Sequence, residues 1–237
     1  MAQTWNDLLF AHWPIAPDSL RSLVPSQLSS ETFDRRCWIA VTPFHMNNVR
    51  ARGFPALPGL SRFPKLNVRT YLTVGDKSGV YFFSLDAANL PAVWAARSVY
   101  RLPYFHARMS VSGDEHGRFY HSRRYRSNAE LRARYAAIGP VRLRHPGTLE
   151  HWLTERYCLY KVANGNVYRA EIHHAPWPLQ DADAGIESNT MASAAGIRLP
   201  DTRPVLHFAE RLEVLIWPLK RLALGTWHLA FGNHGYR

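Results

Sequence analysis

Cysteine and lysine are scarce in this chain, and a long apolar run is missing altogether. The two cysteines, Cys37 and Cys158, are not spaced as a zinc or redox pair. Two free thiols are the simplest account of them and point to a reducing cytoplasm. No run of about 18 apolar residues occurs, so no membrane span is expected. The opening MAQTWNDLLFAHWPIAP carries neither the basic region nor the long apolar stretch of a signal peptide. Glycine-rich nucleotide loops, H-E-x-x-H and G-x-S-x-G are all absent. The twelve histidines follow no ligand pattern. His173 and His174, adjacent in an extended run, must point to opposite faces, and a set such as His12, His45 and His106 has no supporting spacing. Neither a metal nor a cofactor is expected.

Arginine is plentiful. Of 29 basic residues 25 are Arg, against 18 acidic ones, which leaves a net charge of +11. Such a surplus attracts anionic ligands or polyanions. The densest cluster, RFYHSRRYRSNAELRARY over 118–135, interleaves Arg with aromatics as a single-strand-binding surface would, on an expected hairpin and helix. No nucleic-acid recognition motif accompanies it, so nucleic acid is the weaker reading.

The 237 residues, 46% hydrophobic, suffice for one domain with a sizeable core, and no linker or repeat divides them. A short helix follows Pro17 and stops at Pro25. Extended runs occupy 36–46, 65–74, 79–86, 104–112, 118–125, 158–162, 167–174 and 205–219. Asn164-Gly165 marks a hairpin, and helices fit 89–100 and 147–157, the latter capped by Thr148. The long loop 47–64, with three Pro and two Gly, is of a length more often functional than accidental. Eight or nine strands, mostly antiparallel, with two or three helices predict a β-rich α+β domain. Its sheet should be closed or strongly bent, which leaves no exposed edges.

Polar faces on these strands are the candidate site. In YFHARMS, Tyr104, His106 and Arg108 share one side while Phe105, Ala107 and Met109 share the other. KLNVRTYL places Asn67, Arg69 and Tyr71 together. Ser84 and Asp86 share a side with Val80 and Phe82, and His45 ends the run 37–46. Many such faces are simply the wet side of an antiparallel sheet. Arg69 and Arg108 are flanked by apolar residues, and a partly buried Arg needs an anion. Asp86 or a ligand carboxylate would supply it.

The segments LLFAHWP, WIAVTPFHM, FPKLNVRTYLTV, GVYFFSLDAANLPAVWAAR and LPYFHARMSV resemble the YqjF-like proteins, an uncharacterised bacterial family in the acetoacetate-decarboxylase-like superfamily. The resemblance spans nearly the whole chain. It implies a β-barrel or cone with a few helices around a central pocket, in a superfamily whose members act on small oxo-acids. PDSLRSLVPSQL is similar to a conserved early segment of the decarboxylases, and SLDAANLPAVWAARSVYRLPYFHARMSV to their strand, helix and strand bearing two adjacent lysines. The second of those lysines forms a Schiff base with the substrate ketone. Here the pair corresponds to Tyr104 and Phe105.

The decarboxylases' glutamate before the KLNVRTYL-like strand has no counterpart, since no Asp or Glu lies between Asp34 and Asp76. Their early Arg is missing too, since none precedes Arg21. Of the four lysines, Lys65 is read at a strand start, Lys77 in a turn, Lys161 in a hairpin and Lys220 beyond Pro218. None has the apolar flanks that lower an amine pKa.

The expectation is therefore a pocket for a small anionic, carboxylate-bearing molecule, without a covalent lysine. His106 and Tyr104 would be its catalytic groups, and Arg69, Arg108, Asn67, Ser84 and His45 would bind the ligand. A non-catalytic sensor built on the same pocket is the alternative, and homo-oligomerisation stays open.

Overall fold

Turn chemistry in the sequence sets the strand pairing. Asn164 and Gly165, with φ of 50° and 75°, take the left-handed conformations that a two-residue hairpin requires. Gly75 does the same at φ 66° between the two central strands. The protein, a computed structural model that describes residues 1–223, begins with β1 (Ala2–Ile15), α1 (Asp18–Arg21), β2 (Ser29–Ser30) and β3 (Cys37–Arg50). There follow β4 (Phe63–Val74), β5 (Lys77–Ala87), α2 (Leu90–Val99), β6 (Tyr104–Asp114), β7 (Gly117–Arg124) and β8 (Glu130–Arg142). The last part holds α3 (Leu149–Thr154), β9 (Cys158–Ala163), β10 (Asn166–His173), β11 (Leu179–Asn189), β12 (Val205–Ile216) and β13 (Lys220–Arg221). No helix among the described residues is long and apolar enough to cross a membrane.

All thirteen strands join one sheet, which closes on itself. One circuit runs through nine strands, β5-β6-β7-β8-β11-β12-β1-β3-β4, and returns to β5 by the β4–β5 pairing. It is not a clean barrel, because β5 and β12 each fork. β5 pairs with β9 at Val80 and Tyr81, and with β6 at Leu85 to Ala87. β12 pairs with β11 at His207 and Phe208, and with β10 at Leu215 and Ile216. A second circuit through β9 and β10 therefore shares β12-β1-β3-β4-β5 with the first.

The shared strands are covered on both faces and feed two cores. On β1, Leu9, Ala11, Trp13 and Ile15 enter one core, while Leu8 and Phe10 enter the other. On β3, Ile39 and Val41 take the first side, and Phe44 and Met46 the second. Burying both faces removes the alternation that marks an ordinary strand, so β1 reads as the continuous run LLFA. Both cysteines are free and buried.

The expected strands are present, as are the helices expected after Pro17 and within 89–100 and 147–157. Asn89 caps α2 through its side chain, which accepts from Ala92 N at 2.9 Å, and Thr148 caps α3. Four features differ from expectation. The segment expected as a helix within 118–135 is β8, paired with β7 and β11. β1 and β11 are long strands where none was read. The loop shortens to 51–62, because β3 and β4 extend into it from both sides.

Candidate functional site

The second core is incompletely filled. It encloses a cavity of about 190 Å³, lined largely by apolar side chains such as Phe44, Phe63, Phe82, Leu85 and Trp177. Ala92, Ala95, Ala96 and Tyr100 of α2 cover one side. Small residues at three of these positions let the helix lie close to the sheet, while Trp94 points out and is 68% exposed.

Strand β4 supplies the polar content. Period-2 geometry turns Lys65, Asn67 and Arg69 to the same side, and all three line the cavity while nearly fully buried. Arg69 holds its guanidinium carbon 5.3 Å from the Phe10 ring and 5.7 Å from the Tyr71 ring. Its Nε and Nη2 are buried without hydrogen-bond partners, and no carboxylate lies within ion-pair distance among the described residues. The Oδ1 of Asn67 is likewise unpartnered.

A second guanidinium flanks the Tyr71 ring, that of Arg156 at 5.2 Å. Arg156 comes from the segment after α3 and is 5% exposed. Its Nη1 donates to Glu31 at 2.7 Å and its Nε to the Trp152 carbonyl at 2.6 Å, leaving Nη2 unpartnered. Burial pushes the Glu31 carboxyl up, but Arg156, Thr73 and Trp152 outweigh it and hold Glu31 below the usual range. His174 also lines the cavity, with Nδ1 2.7 Å from the Ala175 carbonyl, and burial lowers its pKa. Behind the guanidiniums lies His12, fully buried, 2.7 Å from the Tyr71 hydroxyl. Burial and then Arg69 push His12 far toward the neutral form.

At the other end of the polar row, Lys65 Nζ donates to the Tyr104 hydroxyl at 2.6 Å. It lies 4.9 Å from the Tyr104 ring and 5.8 Å from Phe44. The expectation that no lysine has apolar surroundings is thus corrected for Lys65, which is 7% exposed. Sequence flanks describe neighbours along the strand, whereas the neighbours that matter come from β3 and β6.

The residues grouped from sequence separate. Tyr104, Asn67 and Arg69 line the cavity; His106, Arg108, Ser84 and His45 do not. His106 stacks on Tyr125 at 4.5 Å. Arg108 is exposed, opposite Arg123 in the β6–β7 ladder. Ser84 and Asp86 were placed with Val80 and Phe82, but the β4–β5 register slips at Phe83, with Arg69 opposite Phe82 and Val68 opposite Ser84. One extra residue turns the following side chains to the other face. Asp86 therefore meets Arg124, through two hydrogen bonds of 2.7 and 2.8 Å, rather than Arg69 or Arg108. His45 faces away from the cavity toward Asp7 at 3.4 Å.

Lys65, Arg156 and His174 were missed as site residues. His173 is exposed and His174 buried, so the opposite-face rule held, yet nothing in the sequence says which of the two faces inward.

A closed, forked β-sheet with a helix-covered cavity in one core defines the acetoacetate-decarboxylase-like fold, and comparison with solved structures agrees. An acetoacetate decarboxylase from Legionella pneumophila matches with a TM-score of 0.65 at 11% identity, over 94% of this chain and 87% of that one. The enduracididine biosynthesis enzyme MppR complexed with pyruvate matches with a TM-score of 0.65 at 8% identity, over 94% and 90%. The chain belongs to the family DUF2071, described as an uncharacterized conserved protein, which it matches over residues 2–213. It is 46% identical over 222 residues to the uncharacterized protein YqjF of Bacillus subtilis (strain 168), covering 93% of this chain and 92% of the relative.

Proposed function

We propose that the cavity binds a small carboxylate-bearing molecule, with Arg69 as the anchoring cation. The observation that carries this reading is the Arg69 guanidinium, 7% exposed, with Nε and Nη2 unpartnered and no carboxylate in reach among the described residues. Burying an unpaired charge costs several kcal/mol, and a ligand carboxylate held by a planar fork offsets that cost. The apolar walls then strengthen the contact by excluding water. Two similar folds support the ligand class, one an acetoacetate decarboxylase and the other complexed with pyruvate. Two free buried thiols suit a reducing compartment such as the cytoplasm.

Thermal-shift titration with pyruvate, acetoacetate and longer acids tests the reading. Wild type rises in Tm with a carboxylate and not with the matching alcohol. Arg69→Met abolishes the rise, and its unliganded Tm lies above wild type because an uncompensated charge has been removed. An Arg69→Met protein that responds to carboxylates as wild type does would refute it. A turnover assay on any acid that binds then separates an enzyme from a sensor.

A further inference from the structure

The cavity holds a second buried cation that lacks a counter-charge. Lys65 donates to the Tyr104 oxygen, which is a neutral acceptor, and no carboxylate lies within 4.0 Å of its ammonium among the described residues. Lys65 and Arg69 are four residues apart on one face of β4, about 13 Å between Cα atoms for an extended strand. Their heads have different neighbours: Phe44 and Tyr104 around Lys65, Phe10 and Tyr71 around Arg69. The two heads share no aromatic neighbour, and each is assigned its own counter-charge. Midway between them on the same face of β4 lies Asn67, whose Oδ1 is buried without a partner.

We infer that the ligand is a dianion with a short apolar body, a dicarboxylate whose two ends meet Arg69 and the Lys65–Tyr104 pair. This rests on the carboxylate reading of Arg69 and adds a second end to it. At the far end the ligand oxygen takes a free N–H of Lys65 together with the Tyr104 O–H, whose oxygen already accepts from the ammonium. Arg156, with one free nitrogen beside the same Tyr71 ring, adds a donor at the Arg69 end. The unpartnered Oδ1 of Asn67 is placed to accept from a hydroxyl group in mid-chain.

The test is calorimetric titration with glutarate, adipate and pimelate against pentanoate, hexanoate and heptanoate, pairs equal in carbon number. One member of the diacid series should bind about ten-fold or more tighter than its monoacid, the size of one charge-assisted contact. Lys65→Met should abolish the advantage of the diacid over its monoacid, and Lys65→Arg should keep it. Arg69→Met should weaken both series. Monoacids that bind as tightly as diacids overturn the dianion and leave the carboxylate reading intact. Failure of every acid in both series overturns the two together. Borohydride reduction with 2-oxoadipate provides an independent check. A reduced adduct mapped to Lys65 would show the amine bonding to the ligand's carbonyl carbon with loss of its oxygen as water, and it would overturn the role of Lys65 as a fixed counter-charge.

Discussion

Asp86 and Arg124 show how a single side chain decides where charge can be spent. Asp86 is fully buried and accepts from both Nε and Nη2 of Arg124, which stacks its guanidinium 3.9 Å from the Phe105 ring. Burial nevertheless raises the Asp86 pKa against the pull of Arg124, a sign of how dry this pair is. Removing one partner leaves the other unpaired in the core, which typically costs about 3–5 kcal/mol. Arg124→Met should lower stability by that amount in urea unfolding. The double variant Asp86→Leu/Arg124→Met should recover most of it, since replacing both partners by apolar groups is often close to neutral. Equal losses in the single and the double variant would show that packing on Phe105, not charge, sets the cost. The sequence offered Asp86, or a ligand carboxylate, as the anion for Arg69 or Arg108, whereas Asp86 pairs with Arg124. The sequence could not show that partner, because the answer turns on a bulge three residues earlier.

At the scale of elements, β5 shapes the cavity through its bulge and its fork. It contributes Val80, Phe82 and Leu85 to the lining, and its bulge at Phe83 sends Ser84 and Asp86 to the opposite core. Where it forks toward β9, Gly79 lies against the neighbouring strand. A Cβ there would come within 2.6 Å of Cys158 Sγ, 2.7 Å of the Cys158 carbonyl and 2.8 Å of the Tyr160 ring. Gly79→Ala must therefore push β9 off β5 and open the second circuit. An overpacking cost of about 1–3 kcal/mol is expected, with faster amide exchange in β9 and weaker acid binding. Wild-type Tm and exchange in this variant would contradict the fork as a tight seam.

Elements became illegible for definable reasons. β8 carries Ala, Glu, Leu and Arg, all helix formers, yet Leu131, Ala133 and Tyr135 alternate with Arg132 and Arg134 as a strand requires, and tertiary pairing overrode propensity. β11 alternates Ala182, Ala184 and Ile186 with Asp181, Asp183 and Glu187, but its small residues give a weak hydrophobic signal.

For the whole molecule, the polar row of the site was readable only where it follows one strand. Asn67 and Arg69 could be paired by counting in twos, whereas Arg156 and His174 reach the same cavity from segments about a hundred residues away, and no period links them. The same closure that gathers these groups also buries histidines. His12, His174 and His207 are all buried, and burial is the largest cause lowering each pKa. Nearby cations act in the same direction, Arg69 on His12 and Arg144 on His207. Each imidazole therefore stays neutral in the folded state at a pH where the unfolded chain takes up a proton. The unfolded chain binds more protons below about pH 6.5, so stability is intact above that value and falls as pH drops toward the depressed folded values. Each such group contributes a slope of up to about 1.4 kcal/mol per pH unit. Urea unfolding between pH 7 and pH 5, above the range where ordinary carboxylates titrate, should show this loss. His207→Gln should shallow the slope by roughly one histidine's share, because it removes one linked proton while those of His12, His45 and His174 remain. A stability flat across that interval in wild type would mean that these rings are protonated in the fold, against their burial. A wild-type slope in His207→Gln would contradict a linked proton at His207 and leave the acid sensitivity to the other imidazoles.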